Sequence, residues 1–144
     1  MKKGKRKSID DITKKIQHKL GVKFEKKQYP LGKWGKVDRC HLVNSNILIF
    51  LEIEIGQSHP DTNVLKVWPY LRQNRRVHVF LIQVISSKCL NDYRSRVLLS
   101  EWTGNELKKQ FHRRFHYYRI DANGGRLSNT ENLHAEFNGF CKDN

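Results

Sequence analysis

Three side chains in the first half of the chain have the types and spacing of phosphoryl chemistry: Asp38, Glu52 and Glu54. Glu52 and Glu54 lie two apart in NILIFLEIEI, a run otherwise built from isoleucine, leucine and phenylalanine after its leading asparagine. Successive side chains of a strand face opposite sides. Ile47, Ile49, Leu51, Ile53 and Ile55 therefore fill one face, and Leu48, Phe50, Glu52 and Glu54 the other. A solvated second face would waste Leu48 and Phe50 on water, so the strand starts buried on both sides and turns acidic at its C-terminal end. Asp38 lies 14 residues before Glu52, and a turn at Asn44–Asn46 folds its strand back beside Glu52 or Glu54. Carboxylates gathered this way repel one another and are costly to desolvate. A hard dication, Mg2+ or Mn2+, neutralises them through one or two carboxylates while sharing phosphate oxygens and water. That is the arrangement of metal-assisted phosphodiester hydrolysis. The competing arrangement is a structural network in which Lys36, Arg39 or Lys66 pairs with the acids.

The elements that must hold these groups follow from pattern. Ser8 caps a first helix, SIDDITKKIQHKLG, with Ile9, Ile12, Ile16 and Leu20 on one face and Gly21 at its end. Residues 22–29 and 36–43 read as strands around the turn LGKWG, and NILIFLEIEI is a third. PDTNVLKVWPYLRQ has helical periodicity, capped by Asp61 or Thr62 and kinked or shortened by Pro69. VHVFLIQVI, residues 77–85, reads as a strand buried on both faces. Residues 91–110 form a helix with Tyr93, Val97, Leu98, Trp102 and Leu107 inward and Gly104 as an interruption. FHYYRI, residues 115–120, is the last strand, followed by an Asn- and Gly-rich tail with a short helix near 131–140. The expected fold is α/β, a central mixed sheet flanked by helices in the order α-β-β-β-α-β-α-β. Its third and fourth strands are joined across a helix and hence parallel neighbours.

At 144 residues the chain reads as a single domain over 8–144, with its core in 8–121, an irregular tail over 122–144 and a flexible basic arm over 1–7. Lys and Arg number 28 against 14 Asp and Glu, a formal net charge of +14. A field of that sign points to a polyanionic partner, nucleic acid above all. The three cysteines are far apart and form no CxxC pair, which excludes a disulfide framework and a cysteine zinc site and fits a cytoplasmic setting. No apolar run reaches membrane-spanning length and no apolar stretch follows MKKGKRK, so neither a membrane nor secretion is expected. The chain has no Walker or GxGxxG loop.

The acids on successive strands, in this order of elements, resemble the PD-(D/E)xK nuclease superfamily, whose core is the restriction-endonuclease-like fold. The likeness runs from about Ser8 to Asp121: Val37-Asp38 stands for the PD element and Glu52-Ile53-Glu54 for the acid-x-Lys element, here ExE. Val37 replaces the proline and Glu54 the lysine; Lys66, one turn into the next helix, is the candidate for the displaced lysine. The resemblance implies Mg2+-dependent cleavage of nucleic acid, foremost double-stranded DNA, leaving a 5′-phosphate. It assigns the metal to Asp38, Glu52 and Glu54, and the positioning or activation of water to Glu54 or Lys66. One such centre cuts one strand, so a duplex break implies a homodimer. The alternative is a basic DNA- or RNA-binding module without catalysis.

Further candidates for phosphate contact are Lys33, Lys36, Arg39, Asn63, Arg113 and Arg114. Trp34, between two glycines, is expected to fold back onto the core rather than into a groove. Gln57, Ser58 and His59 follow the acids directly and are placed to line the metal shell or touch substrate. His112 and His116 have helical i, i+4 spacing, but the helix-to-strand change falls between them and no carboxylate completes a zinc site.

Overall fold

A computed structural model describes residues 3–144. The first helix, α1, spans Lys3–Leu20 and buries Ile9, Ile12, Ile16 and Leu20, the expected face. It begins ahead of the anticipated cap. Ser8 lies inside it, its Oγ donating to the Gly4 carbonyl 3.1 Å away. Residues 3–7 are thus its first turns rather than a separate arm, since lysine and arginine are good helix formers. Lys2, also assigned to that arm, lies outside the described residues.

The strand expected over 22–29 does not form. Only β1, Tyr29–Pro30, is extended, and it pairs with β2, Lys36–Val37, in a small ribbon of its own. Gly32–Trp34 make a short 3-10 turn between them. The main sheet has five strands in the order β3-β4-β5-β6-β7: Arg39–Leu42, Ile47–Glu54, His78–Ser86, Phe115–Asn123 and Arg126–Ser128. β3 runs antiparallel to β4, β4, β5 and β6 run parallel, and β7 turns back on β6. All of β4 and the interior of β5 are buried, as the continuous apolar runs require.

Helices cover both faces. α1 and the last helix, α6 (Leu133–Lys142), pack on the face carrying Ile47, Ile49, Leu51 and Ile53. Against the face carrying Leu48 and Phe50 lie α2 (Pro60–Leu65), α3 (Val67–Gln73) and, after the short α4 (Ser87–Asp92), the long α5 (Arg94–Phe111). The helix expected over 60–73 is two, broken at Lys66. The restart places Pro69 third in α3, where its missing N–H has no helical partner to lose. Among the described residues no helix is long and apolar enough to cross a membrane.

α5 buries Val97 and Leu107 as expected but turns Leu98 and Trp102 outward. Val97, Ser100, Gly104 and Leu107 face inward, while Leu98 and Trp102 are 57% and 62% exposed. Gly104 is a contact point rather than an interruption. A Cβ there would sit 2.3 Å from Cγ of the buried Tyr117 on β6. Gly104→Ala is therefore expected to destabilise the protein by about 2 kcal/mol despite alanine's better helix propensity. A urea midpoint equal to or above that of the wild type would show that this contact does not fix α5.

Candidate active site

Register brings the acids together. Asp38 occupies the single position between β2 and β3, and Arg39 pairs with Leu51, so Asp38 falls beside Glu52. Its amide donates to Glu52 Oε1 at 3.2 Å, and its Oδ2 accepts from the Ile53 amide at 2.8 Å. Glu52 and Glu54 are 3% and 0% exposed. Burial raises the pKa of Asp38, against the lowering effects of the Ile53 hydrogen bond and Lys66. Burial raises Glu52 well above the ordinary carboxylate range, and the neighbouring Asp38 charge adds to it.

Lys66 answers this pair. The break between α2 and α3 puts its side chain over the acidic end of β4, where Nζ is 3.0 Å from Glu52 Oε1 and 2.8 Å from Asn63 Oδ1. Its third acceptor is the Lys36 carbonyl. An ammonium donates three hydrogen bonds and accepts none, so all three donors are engaged and the charge is fixed in place.

Glu54 has a different setting from the one expected of a third metal ligand. Asn63 Nδ2 donates to its two oxygens at 2.8 and 2.9 Å, and Gln83 Nε2 donates to Oε2 at 2.8 Å. Burial lifts Glu54 to about 7 even so, against the lowering effects of the Gln83 and Asn63 hydrogen bonds. Gln83 also donates to the Pro60 carbonyl and accepts from the Tyr117 hydroxyl at 2.6 Å. Burial pushes the Tyr117 phenol upward and keeps it a donor. Each amide has one orientation that works. The Asn63 NH2 must face the carboxylate and its oxygen the ammonium, and the Gln83 NH2 must face its two acceptors. An unbroken relay thus runs Tyr117, Gln83, Glu54, Asn63, Lys66, Glu52.

Gln83 and Tyr117 were missed in the sequence. The available signal was a lone glutamine in the apolar run VHVFLIQVI: a polar side chain that deep needs polar partners. Gln57 folds back, donating to the Ile53 carbonyl at 3.2 Å, while Ser58 and His59 are exposed beside the acids.

The residues present fit a divalent ion at one place. Among the described residues no hydrogen bond engages Asp38 Oδ1 or Glu52 Oε2, and neither atom is sealed from solvent without a partner. Two raised carboxylates with a free, wet oxygen each match the one or two that Mg2+ takes. Among the described residues no three His, Cys, Asp or Glu side chains come together as a group that could hold a metal ion.

The remaining candidates divide. Arg39 donates to the Asp38 carbonyl at 2.7 Å and pairs with Asp10 at 3.2 Å, at the lip of the site. Lys36 is exposed next to it. Lys33 lies over the Trp34 ring at 5.0 Å; Trp34 packs toward the core, and its indole N–H donates to Gln73. Arg113 is exposed, whereas Arg114 donates to the Leu71, Asn74 and Val77 carbonyls and ties α3 to β6. His116 pairs with Glu136 at 2.7 Å and stacks on Phe80, apart from the exposed His112. No family model, curated protein or solved structure matches the chain.

Proposed function

We propose that the chain is a metal-dependent nuclease that hydrolyses phosphodiester bonds of nucleic acid, DNA foremost, on a restriction-endonuclease-like variant of the mixed α/β fold. The observation that carries this reading is the Asp38–Glu52 pair with Lys66 Nζ 3.0 Å from Glu52: two acids and a lysine at one strand end of a +14 chain. The antiparallel β3–β4 pair, the crossover through α2 and α3, and the parallel return into β5 support the fold assignment. The displacement of 22–29 from the main sheet is where the chain departs from the expected three-strand meander.

In this reading Asp38 Oδ1 and Glu52 Oε2 hold Mg2+ or Mn2+. The ion, when bound, polarises the phosphate and lowers the pKa of an attached water. The chain's own groups do the rest. Lys66 supplies a fixed positive charge where charge accumulates on the phosphoryl oxygens. It exchanges the exposed Lys36 carbonyl for a phosphate oxygen while Glu52 and Asn63 keep it aimed. Glu54 holds Asn63 in the orientation that offers its oxygen to Lys66. Water attacks the phosphorus and the P–O3′ bond breaks, leaving a 5′-phosphate; the departing O3′ takes up a proton from solvent and becomes a 3′-hydroxyl.

The test is cleavage of supercoiled plasmid and of single-stranded DNA and RNA with Mg2+, with Mn2+ and with EDTA. Cutting that needs metal and is lost in Glu52→Ala is expected. Shifted but uncut DNA under every metal would instead support a binding module whose Glu52–Lys66 pair is only structural.

A further inference from the structure

A cleft of about 520 Å³ lies between α1 and the irregular segment 23–28, on the side of the sheet away from Lys66. Its rim carries five cations: Arg6 and Lys14 from α1, Lys23 and Lys26 from the segment, and Arg39 from β3. Its acids are Asp10 and Glu25, of which Asp10 is already paired with Arg39. The floor is formed by Ile9 and Phe24, with Gln17 and Gln28 in the walls. Residues 22–28 form no strand, though the Glu25 amide donates to the Cys40 carbonyl of β3 at 3.1 Å. Gln17 Oε1 accepts from the Phe24 amide at 2.8 Å and holds the segment to α1.

The cleft lies across the sheet edge from the acid pair and reaches it only through Arg39. Arg39 is bonded to the Asp38 carbonyl, and Lys5, one turn of α1 from the rim, is near enough to act electrostatically on Asp38. A cationic rim over an apolar floor, with amide groups in the walls, is the chemistry of a nucleotide: phosphate at the edge, base within. Paired bases are stacked and unavailable to such a recess, whereas an unpaired base is free to enter it. We propose that this cleft seats one unpaired nucleotide of the bound strand, so that the substrate is nucleic acid with a single-stranded element near the cut rather than uninterrupted duplex. The proposal rests on the nuclease reading for the cut, and on the cleft alone for the binding preference.

Binding is measured by fluorescence anisotropy in EDTA, where no cleavage occurs, with a blunt DNA duplex and the same duplex carrying a short single-stranded extension. The wild type is expected to bind the extended duplex about fivefold more tightly. The double variant Lys14→Glu with Lys26→Glu is expected to lose that preference. A control double variant of equal charge change outside the cleft, Lys109→Glu with Lys142→Glu, is expected to weaken both substrates alike and to keep it. Equal wild-type affinity for the two duplexes, or a preference that survives in the cleft variant, overturns the proposal. Metal-dependent cutting of plasmid without the preference removes the cleft reading only. A preference without cutting in any metal leaves the cleft standing and removes the nuclease.

Discussion

Lys66→Met should reduce metal-dependent cleavage roughly a hundred- to a thousand-fold while leaving DNA affinity in EDTA nearly unchanged. The rate loss is the usual cost of removing one preorganised charge from a phosphoryl or acyl transition state. Affinity changes little because one cation of 28 is removed from the surface field. Stability gives a second signature. Glu52 is 3% exposed, and Lys66 is the cation bonded to it. Stripping the partner from a buried charge costs about 3 kcal/mol or more unless the charge is neutralised. Lys66 lowers the pKa of Glu52, so its loss raises a carboxyl already held high by burial. A raised carboxylate pKa favours the folded state on the acid side and disfavours it on the alkaline side. Lys66→Met should therefore lose stability at about pH 8 and recover most of it at about pH 5. Adding Glu52→Gln removes the orphaned charge, so the double variant should regain stability at about pH 8 and stay inactive. Wild-type cutting by Lys66→Met would remove the lysine from the machinery and leave the pair as architecture.

What the sequence discloses of this site is the part written in period two. Glu52 and Glu54 announce themselves because Leu48 and Phe50 share their face, and the register then brings Asp38 to Glu52. Alternation cannot distinguish the two glutamates, although they differ sharply. Glu52 meets an ammonium, while Glu54 meets two amides whose positions depend on α2 and β5. Lys66 is legible by type and distance, but its aim depends on the helix break, and the break depends on where Pro69 is tolerated. Leu98 and Trp102 of α5 turn outward for a related reason. Hydrophobicity weighs Leu98 and Trp102 above Ser100 and Gly104, yet the small residues are those that let the helix approach Tyr117. Segment 22–29 has strand-like residues, but only Tyr29 joins a ladder and only the Glu25 amide reaches β3, and β-propensity without a continuous partner does not make a strand.

The three acids also set how stability depends on pH in the absence of metal. Asp38, Glu52 and Glu54 are all raised, with burial the largest cause in each. A group whose folded pKa exceeds its unfolded value binds its proton more tightly when folded. Its contribution is fully present below the unfolded pKa and is lost as pH rises through the folded one. For Glu54 the window runs from its ordinary 4.5 to about 7. That span corresponds to about 3 kcal/mol. The metal-free protein is thus expected to be most stable near pH 5 and to lose several kcal/mol by about pH 8, the reverse of ordinary acid denaturation. Glu54→Gln should flatten part of that slope. Mg2+ competes with protons for Asp38 and Glu52, so its addition should raise the unfolding temperature strongly at about pH 8 and little at about pH 5. Asp38→Asn should abolish that metal shift. Glu54→Gln should retain it, because the Glu54 oxygens face Asn63 and Gln83 rather than the free oxygens of the pair. Thermal unfolding with Mg2+ and with EDTA across this range checks all three statements. A metal shift that is the same at both pH values, or that survives Asp38→Asn, would place the ion elsewhere on the chain.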